Sequence, residues 1–316
     1  MRRVYSRRAI SVLYNFIKSN NLTGKVIMPS NICESVPATY IKLGINPVFC
    51  DVNLIDWQIE KKKALKLMED KSVVILHYNH TYGFICDDDY TFLENVRNLF
   101  PRVFIVDDKC LCYPELQLDT SFADLVLFST GHTKCVDIGW GGFGYLSSRV
   151  LYSDHYQNYN PLDLEMFDRH VKYCHRNNMP FDDSIIFSDW IDMDNQYDKY
   201  FELIESKMAE VISHKENINE IYKRIPGSFP SGYNNWRYQL LLNNQKECYN
   251  ALFKEGLYCS YHYKSLGEGY FSDTPTPNNA YLESHVLNLF NDHHYTKQQA
   301  ELTADILGSM IVPVDK

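Results

Sequence analysis

A lysine and an aspartate each follow an apolar run in the first half of the chain. Lys134 lies 26 residues after Asp108, and Ser129 stands five residues before the lysine. Glycines that permit tight backbone geometry follow the lysine, at Gly139, Gly141 and Gly142. The chain thus offers an amine, a carboxylate and a hydroxyl that could act together in one site.

This set of groups suits a pyridoxal phosphate cofactor. The Lys134 amine would form the Schiff base, and the Asp108 carboxylate would keep the pyridine nitrogen protonated, so that the ring accepts electrons. Ser129 would hydrogen-bond the cofactor phosphate. Asp107 is the alternative partner for the ring nitrogen, because either member of this acidic pair could be the buried one. We predict Lys134 and Asp108 as the catalytic residues.

A basic turn precedes the first predicted helix, at residues 7–18. We predict that Ser6 caps this helix and that Ser6, Arg7 and Arg8 contact the cofactor phosphate. The reason is that a helix N-terminus offers free N–H groups and a positive dipole end. The alternative is an ordinary capped helix that begins in a solvated chain end.

Short apolar runs alternate with helix-like segments over the first half of the chain. This pattern predicts a mainly parallel sheet flanked by helices, in which ligands bind beyond the carboxyl ends of the strands. Asp108, residues 77–83 and residues 129–134 would meet at that edge. The predicted strands are 25–29, 47–51, 72–77, 103–106, 125–128 and 143–146, and the predicted helices are 7–18, 33–43, 59–69 and 90–99.

The second half of the chain is less regular. Residues 150–200 are rich in Asp, Asn, Tyr and Met, and we expect a loop with short helices there. A long polar helix at 197–225 would join two lobes. We therefore predict a large α/β domain at 1–200, and a linking helix with a small α+β domain at 201–316. The elements expected in the small domain are strands 236–242 and 257–263 and helices 245–255 and 296–310.

Charge and composition argue against several classes of protein. The formal net charge is −9, which provides no basic field for nucleic acid. No run of 18 apolar residues suggests a membrane span. The nine cysteines are scattered, without a CxxC pair or a secretion signal, which favours reduced thiols and no zinc site. We expect a cytoplasmic protein without a metal, nucleic-acid or membrane partner.

Six segments in order resemble the DegT/DnrJ/EryC1/StrS family of pyridoxal phosphate-dependent sugar aminotransferases. Residues 80–83, His-Thr-Tyr-Gly, resemble the family's "HxYG" turn, and residues 128–142 resemble its Schiff-base segment. The other four are 26–30, 44–52, 106–108 and 256–263. The chain would be a short member, truncated before its first helix.

The resemblance implies a fold-type I enzyme that forms a homodimer with active sites at the subunit interface. The activity would be transfer of an amino group, from glutamate, to a nucleotide-linked keto-sugar in surface-polysaccharide or secondary-metabolite biosynthesis. Lys134, Asp108 and Ser129 keep the roles given above. Further cofactor contacts would come from Cys33 and His80, and substrate contacts from His132, His262, Tyr263 and Asn195.

Two departures from the family pattern leave alternatives open. The turn Ser6–Arg7–Arg8 has no glycine, and Cys33 stands where many members place an aromatic ring. One alternative is a dehydrating or deoxygenating enzyme of the same fold, but that branch replaces the lysine by histidine, whereas Lys134 is kept. The other is a non-catalytic binding or regulatory protein that retains the fold.

Overall fold

The computed structural model describes residues 1–155, 161–177, 179–180, 182, 199–227, 236–267, 271 and 274–314. A seven-stranded sheet occupies the first half of the chain, in the order β1-β7-β6-β5-β4-β2-β3. Its strands are β1 (Arg2–Ser6), β2 (Gly24–Pro29), β3 (Ile45–Cys50), β4 (Val73–Asn79), β5 (Phe104–Asp108), β6 (Leu125–Ser129) and β7 (Gly142–Leu146).

The strands β3, β2, β4, β5 and β6 run parallel to one another, and β7 runs antiparallel to β6. The helices of this half are α1 (Ala9–Ser19), α2 (Ser35–Lys42), α3 (Lys61–Leu67) and α4 (Asp89–Leu99), with one turn of 3-10 helix at Thr81–Gly83. Every strand and helix predicted for residues 7–146 is found, within two residues at each end. The predicted α/β class with a mainly parallel central sheet is confirmed.

The strand β1 was not predicted. It pairs antiparallel with β7, from Arg2 opposite Leu146 to Ser6 opposite Gly142. Ser6 therefore ends a strand and does not cap the first helix, whose N-cap residue is Arg8. The basic residues before α1 form an ordered edge of the sheet instead of a solvated chain end.

The helix α1 is buried along its whole length from Ala9 to Ile17. One face packs on the sheet through Leu13 and Phe16, and the other meets α2 and a further helix, α5 (Pro161–Asn177). Because α1 is covered on both sides, its polar residues are also enclosed. Its N-terminus is thereby held firmly beside the end of β6 and the start of β7.

The helix α5 corrects the expectation of a loop with short helices at 150–200. It spans 17 residues, and its Phe167 and Val171 pack against Ile10 and Tyr14 of α1. The long helix expected at 197–225 is α6 (Tyr200–Tyr222). No helix in the described ranges is long and apolar enough to cross a membrane.

A three-stranded antiparallel sheet follows α6, in the order β8-β10-β9. Its elements are β8 (Tyr238–Leu241), α7 (Gln245–Lys254), β9 (Cys259–Ser260), α8 (Pro277–His285), β10 (Val286–Leu289) and α9 (Lys297–Met310). The expected strand 257–263 shortens to β9, while α8 and β10 were not predicted. One face of this sheet shares an apolar core with α6, α7 and α9. The division of the chain into domains 1–200 and 201–316 stays a prediction.

Candidate active site

A cavity of about 730 Å³ lies at the carboxyl edge of the parallel strands. Asn79, Asp108 and Ser129, the last residues of β4, β5 and β6, all line it. This is the edge at which open α/β sheets bind their ligands, because strand ends and the following turns converge there. Residues 7–8, before α1, and residues 236–237 and 262–263, from the C-terminal half of the chain, complete the wall.

Asp108 is a buried carboxylate with two hydrogen-bond donors. One of its oxygens lies 3.0 Å from Nε2 of His77, and the other accepts the backbone N–H of Cys110 at 2.9 Å. Burial, the largest influence, would raise the pKa of Asp108, but His77 and Cys110 together lower it to about 2. The carboxylate is therefore ionised at neutral pH despite its burial.

His77 is itself held by a second buried residue. The hydroxyl of Tyr40 lies 3.0 Å from Nδ1 of His77. When Tyr40 donates to Nδ1, Nε2 carries the proton and points it at Asp108. The three side chains form a buried chain, from α2 through β4 to β5, that orients the Asp108 carboxylate.

Asp107 points to the opposite side of β5, because side chains alternate along a strand. Its carboxylate lies 2.6 Å from Nε2 of His80, whose Nδ1 lies 3.3 Å from Asp89. Burial would lower the pKa of His80, but the two carboxylates outweigh it and raise the pKa to about 9. His80 is thus an ion-paired residue outside the cavity lining, contrary to the prediction of a cofactor contact.

Lys134 lies in a tight loop that follows β6. The carboxylate of Asp137 accepts the backbone N–H groups of Thr133 and Gly139, both at 2.7 Å, and so closes the loop. Thr133 has a φ of 62°, in the left-handed region that side chains rarely adopt. Lys134 is half-buried and lines the cavity, and its amine forms no hydrogen bond or ion pair with any described residue.

Gly141 and Gly142 let the chain before α1 approach this loop. A Cβ on Gly142 would lie 2.2 Å from the backbone nitrogen of Ala9, and one on Gly141 would lie 2.5 Å from the ring of Tyr200. The N–H of Gly141 donates to the carbonyl of Arg7 at 2.7 Å. The absence of a side chain at Gly142 lets the start of α1 lie against this loop, and its absence at Gly141 leaves room for Tyr200.

The segment before α1 contributes Arg7 and Arg8 to the cavity lining, whereas Ser6 is buried outside it with an unpartnered hydroxyl. Two carboxylates also line this side, Glu34 from the start of α2 and Asp168 from α5. Burial, and next Asp168, raise the pKa of Glu34 to about 7. Basic and acidic groups therefore share this side of the cavity.

Residues 236–237 and 262–263 line the opposite side of the cavity. The indole N–H of Trp236 donates to the carbonyl of Thr133 at 2.5 Å, directly beside Lys134. Tyr263 stacks on Trp236 with ring centroids 5.8 Å apart, and the hydroxyl of Tyr82 donates to the carbonyl of His262 at 2.7 Å. These contacts join residues 236–263 to the loop of Lys134 and to the turn at Thr81–Gly83.

The structure brings most of the predicted site residues into one cavity. Ser6 and His80 lie outside its lining, and Asn195 lies outside the described residues. The predicted residues that line the cavity are Lys134, Asp108, Ser129, Arg7, Arg8, Cys33, His132, His262 and Tyr263. Sequence reasoning missed Glu34, Asp168, Trp236 and Arg237. The only sequence signal for the last two is their position at the start of a predicted strand.

The comparisons with known proteins agree with this architecture. The model of the DegT/DnrJ/EryC1/StrS aminotransferase family matches residues 9–98. No curated protein matches the chain in sequence.

Three solved structures illustrate the likeness in fold. A DegT DnrJ EryC1 StrS aminotransferase from Brucella abortus has 16% identity and a TM-score of 0.68, over 98% of this chain and 86% of that one. The putative sugar aminotransferase Spr1654 from Streptococcus pneumoniae, in its PMP form, has 16% identity and a TM-score of 0.68, over 97% and 87%. DesI, solved in the presence of its TDP-sugar product, has 18% identity and a TM-score of 0.69, over 98% and 80%. The chain thus resembles the DegT/DnrJ/EryC1/StrS aminotransferase family in sequence over residues 9–98 and has the fold of its solved members over nearly its whole length.

Proposed function

We propose that this chain is a pyridoxal phosphate-dependent aminotransferase that acts on a sugar. The observation that carries the proposal is that Lys134 and Asp108 line one cavity, from the ends of two neighbouring parallel strands. An amine without a described partner and an ionised buried carboxylate are the two groups that this chemistry requires of a protein.

The residues around the cavity fit the cofactor. Bound pyridoxal phosphate would supply a protonated pyridine ring that accepts electrons from a substrate carbon. Asp108 would hold the proton on the ring nitrogen, because its low pKa keeps it negative beside a cation. Ser129, Arg7 and Arg8 would hold the phosphate.

Lys134 has two roles in the proposal. Its amine would hold the cofactor, and the freed amine would act as the base and acid that moves the proton of the amino donor's α-carbon. The absence of a competing described partner leaves the amine able to move between these positions. The cavity volume, about 730 Å³, suits a small-molecule site.

The finer assignments rest on the family resemblance. The amino donor is glutamate, and the acceptor is a nucleotide-linked keto-sugar in surface-polysaccharide or secondary-metabolite biosynthesis. DesI, a structural neighbour, was solved with its TDP-sugar product, which supports this class of acceptor. The protein is a cytoplasmic homodimer with active sites at the subunit interface. Exposed apolar residues on α5, the helix that carries Asp168 into the cavity lining, support a covering second copy.

The direct test is the visible absorbance of the purified protein with added pyridoxal phosphate. We expect a new band with the wild type and its loss in Lys134→Ala, together with loss of turnover. Reduction with borohydride followed by peptide mass analysis should attach the cofactor at Lys134. Lys109→Ala is the control, because Lys109 pairs with Glu115 and is not among the cavity-lining residues. An active Lys134→Ala protein that keeps the band would contradict the assignment.

One observation favours the non-catalytic alternative. The hydroxyl of Ser6 is buried outside the cavity, and the carboxylates of Glu34 and Asp168 lie on the side of Arg8. An ionised carboxylate there would oppose a bound phosphate, and the raised pKa of Glu34, about 7, leaves this group only partly ionised at neutral pH. The same absorbance measurement separates the two functions, since a binding protein without chemistry would give no cofactor band with the wild type.

A further inference from the structure

Lys215 is a buried cation to which the proposed reaction assigns no role. It lies in α6, it is only 1% exposed, and it is not among the residues that line the cavity. Taking an ammonium out of water is costly unless nearby groups compensate for the lost hydration. An apolar side chain of similar length would fill the same space at a lower cost, so packing alone does not explain a lysine here.

Two neutral groups hold the ammonium of Lys215. Its Nζ donates to the backbone carbonyl of Trp236 at 2.8 Å and to the side-chain oxygen of Asn291 at 2.9 Å. Among the described residues no carboxylate forms an ion pair with it, and Asp292 and Asp137 attract it without a hydrogen bond. Burial, the largest influence, lowers the pKa of Lys215. Hydrogen bonds from an ammonium are stronger than those between neutral groups, so both acceptors are held firmly.

Asn291 lies in a turn that is fastened to the same helix. Its Nδ2 donates to the side-chain oxygen of Asn219 at 3.0 Å, and Nε2 of His214 lies 2.9 Å from the carbonyl of Asp292. Both Asn219 and His214 belong to α6. The helix and the turn after β10 therefore form one unit, from which Lys215 reaches the chain just before β8.

Trp236 connects this unit to the loop of Lys134. Its indole N–H donates to the carbonyl of Thr133 at 2.5 Å, and its ring stacks on Tyr263 with the centroids 5.8 Å apart. Thr133 has a φ of 62°, a strained conformation that persists only where surrounding contacts maintain it. The carbonyl and the indole N–H of one residue thus link Lys215 to the residue before Lys134.

We propose that Lys215 positions the loop of Lys134 through Trp236, an inference that rests on the role proposed for Lys134. The ammonium fixes the backbone of Trp236, and the indole then fixes the carbonyl of Thr133. The amine of Lys134 is thereby held in one place from which it can meet the cofactor. Reaction between two groups is fastest when their atoms are already in position, so a looser loop weakens cofactor attachment. Lys215 is a positioning residue, because it does not itself line the cavity.

Hydrogen exchange tests this link without the cofactor. We expect Lys215→Met to speed the amide exchange of residues 130–141 roughly 10-fold in the cofactor-free protein, because a strong hydrogen bond that holds Trp236 is lost. Lys215→Arg, which keeps a cation, should limit the increase to roughly 3-fold. Tyr222→Phe is the matched control. It removes another buried hydrogen bond of α6, to the carbonyl of Phe290 at 2.8 Å, in a different apolar cluster from Trp236, and should leave exchange in this loop unchanged.

A double-mutant cycle tests whether the link runs through Trp236. Trp236→Phe keeps a ring and the backbone carbonyl but removes the indole N–H. We expect Lys215→Met and Trp236→Phe each to weaken pyridoxal phosphate binding roughly 10-fold, followed by the cofactor absorbance band. The double variant should bind no more weakly than Trp236→Phe alone, because the two residues act in series.

Three results would overturn the inference. The first is unchanged exchange at residues 130–141 in Lys215→Met, or in Lys215→Arg if the methionine variant fails to fold. The second is an equal rise in Tyr222→Phe, which would trace the effect to a general loss of stability. The third is a fully additive loss of cofactor affinity in the double variant. Failure of the wild type to gain a cofactor band would instead contradict the proposed function, while the exchange rates would still decide whether Lys215 positions the loop.

Discussion

Two adjacent carboxylates on β5 have different environments. Asp108 lines the cavity and is held by His77 and Cys110, whereas Asp107 faces the other side and pairs with His80. The physical cause is the alternation of side chains along a strand. At the scale of single residues, therefore, Asp108 is the candidate for chemistry, whereas its neighbour Asp107 stabilises the fold through an ion pair.

Asp108→Asn should lower turnover roughly 100-fold or more, because a preorganised charge next to the ring nitrogen is removed. The measurement is the rate of the half-reaction with glutamate at saturating cofactor. Unchanged kinetics would contradict the role proposed for Asp108, because Asp107 does not line the cavity.

The matched variant Asp107→Asn should act on stability instead. Breaking a buried ion pair costs about 3–5 kcal/mol of unfolding free energy. The pKa of His80 is raised from 6.5 to about 9, so the pair's contribution is full below pH 6.5 and is lost as the pH rises through 9. Chemical denaturation across this range should show the loss in the wild type and a flatter profile in Asp107→Asn.

At the scale of elements, close backbone approach joins the start of α1 to the loop between β6 and β7. Gly142 opposes Ser6 in the pairing of β1 with β7 and faces the backbone of Ala9 without a side chain between them. Arg7 and Arg8 reach the cavity for this reason. The proposed phosphate contacts of Arg7 and Arg8 thus depend on β1, a strand that the sequence did not predict.

Gly142→Ala should push α1 away from the sheet. A Cβ 2.2 Å from the nitrogen of Ala9 cannot be accommodated by a side-chain rotation, so we expect a loss of about 1–3 kcal/mol and weaker cofactor binding. Gly308→Ala in α9, where a Cβ meets nothing within 4 Å, should be neutral or add about 0.5–1 kcal/mol. Urea unfolding and cofactor titration measure both effects. Equal behaviour of the two variants would contradict the close-approach argument.

At the scale of the whole molecule, α5 has two apolar faces. Phe167, Val171 and Cys174 are buried against the protein, while Leu162, Met166 and Tyr173 are exposed on the opposite face. The spacing of the exposed residues, four and seven apart, makes one stripe along the helix. An exposed apolar stripe beside a cavity is typical of a surface that another chain covers.

We therefore expect the wild type to have twice the mass of one chain in light scattering. Replacing both Met166 and Tyr173 by Glu should give a monomer, because two buried charges at an interface cost several kcal/mol. Leu99→Glu, which changes an apolar residue that is 64% exposed at the end of α4, is the control and should remain dimeric. A monomeric wild type would remove the support for a site shared between subunits.

The sequence by itself determined the α/β class, the strands β2 to β7, and the placement of Asp108 and Ser129 at strand ends, because buried parallel strands are continuous apolar runs whose ends can be located locally. The tertiary structure alone decided what depends on contacts between distant residues. Such contacts place β1 beside β7, keep His80 away from the cavity while His77 faces Asp108, and set Arg237 in the wall near Lys134. The role proposed for Lys134 follows from its neighbours along the chain, but the other residues that line the cavity become its neighbours only through folding.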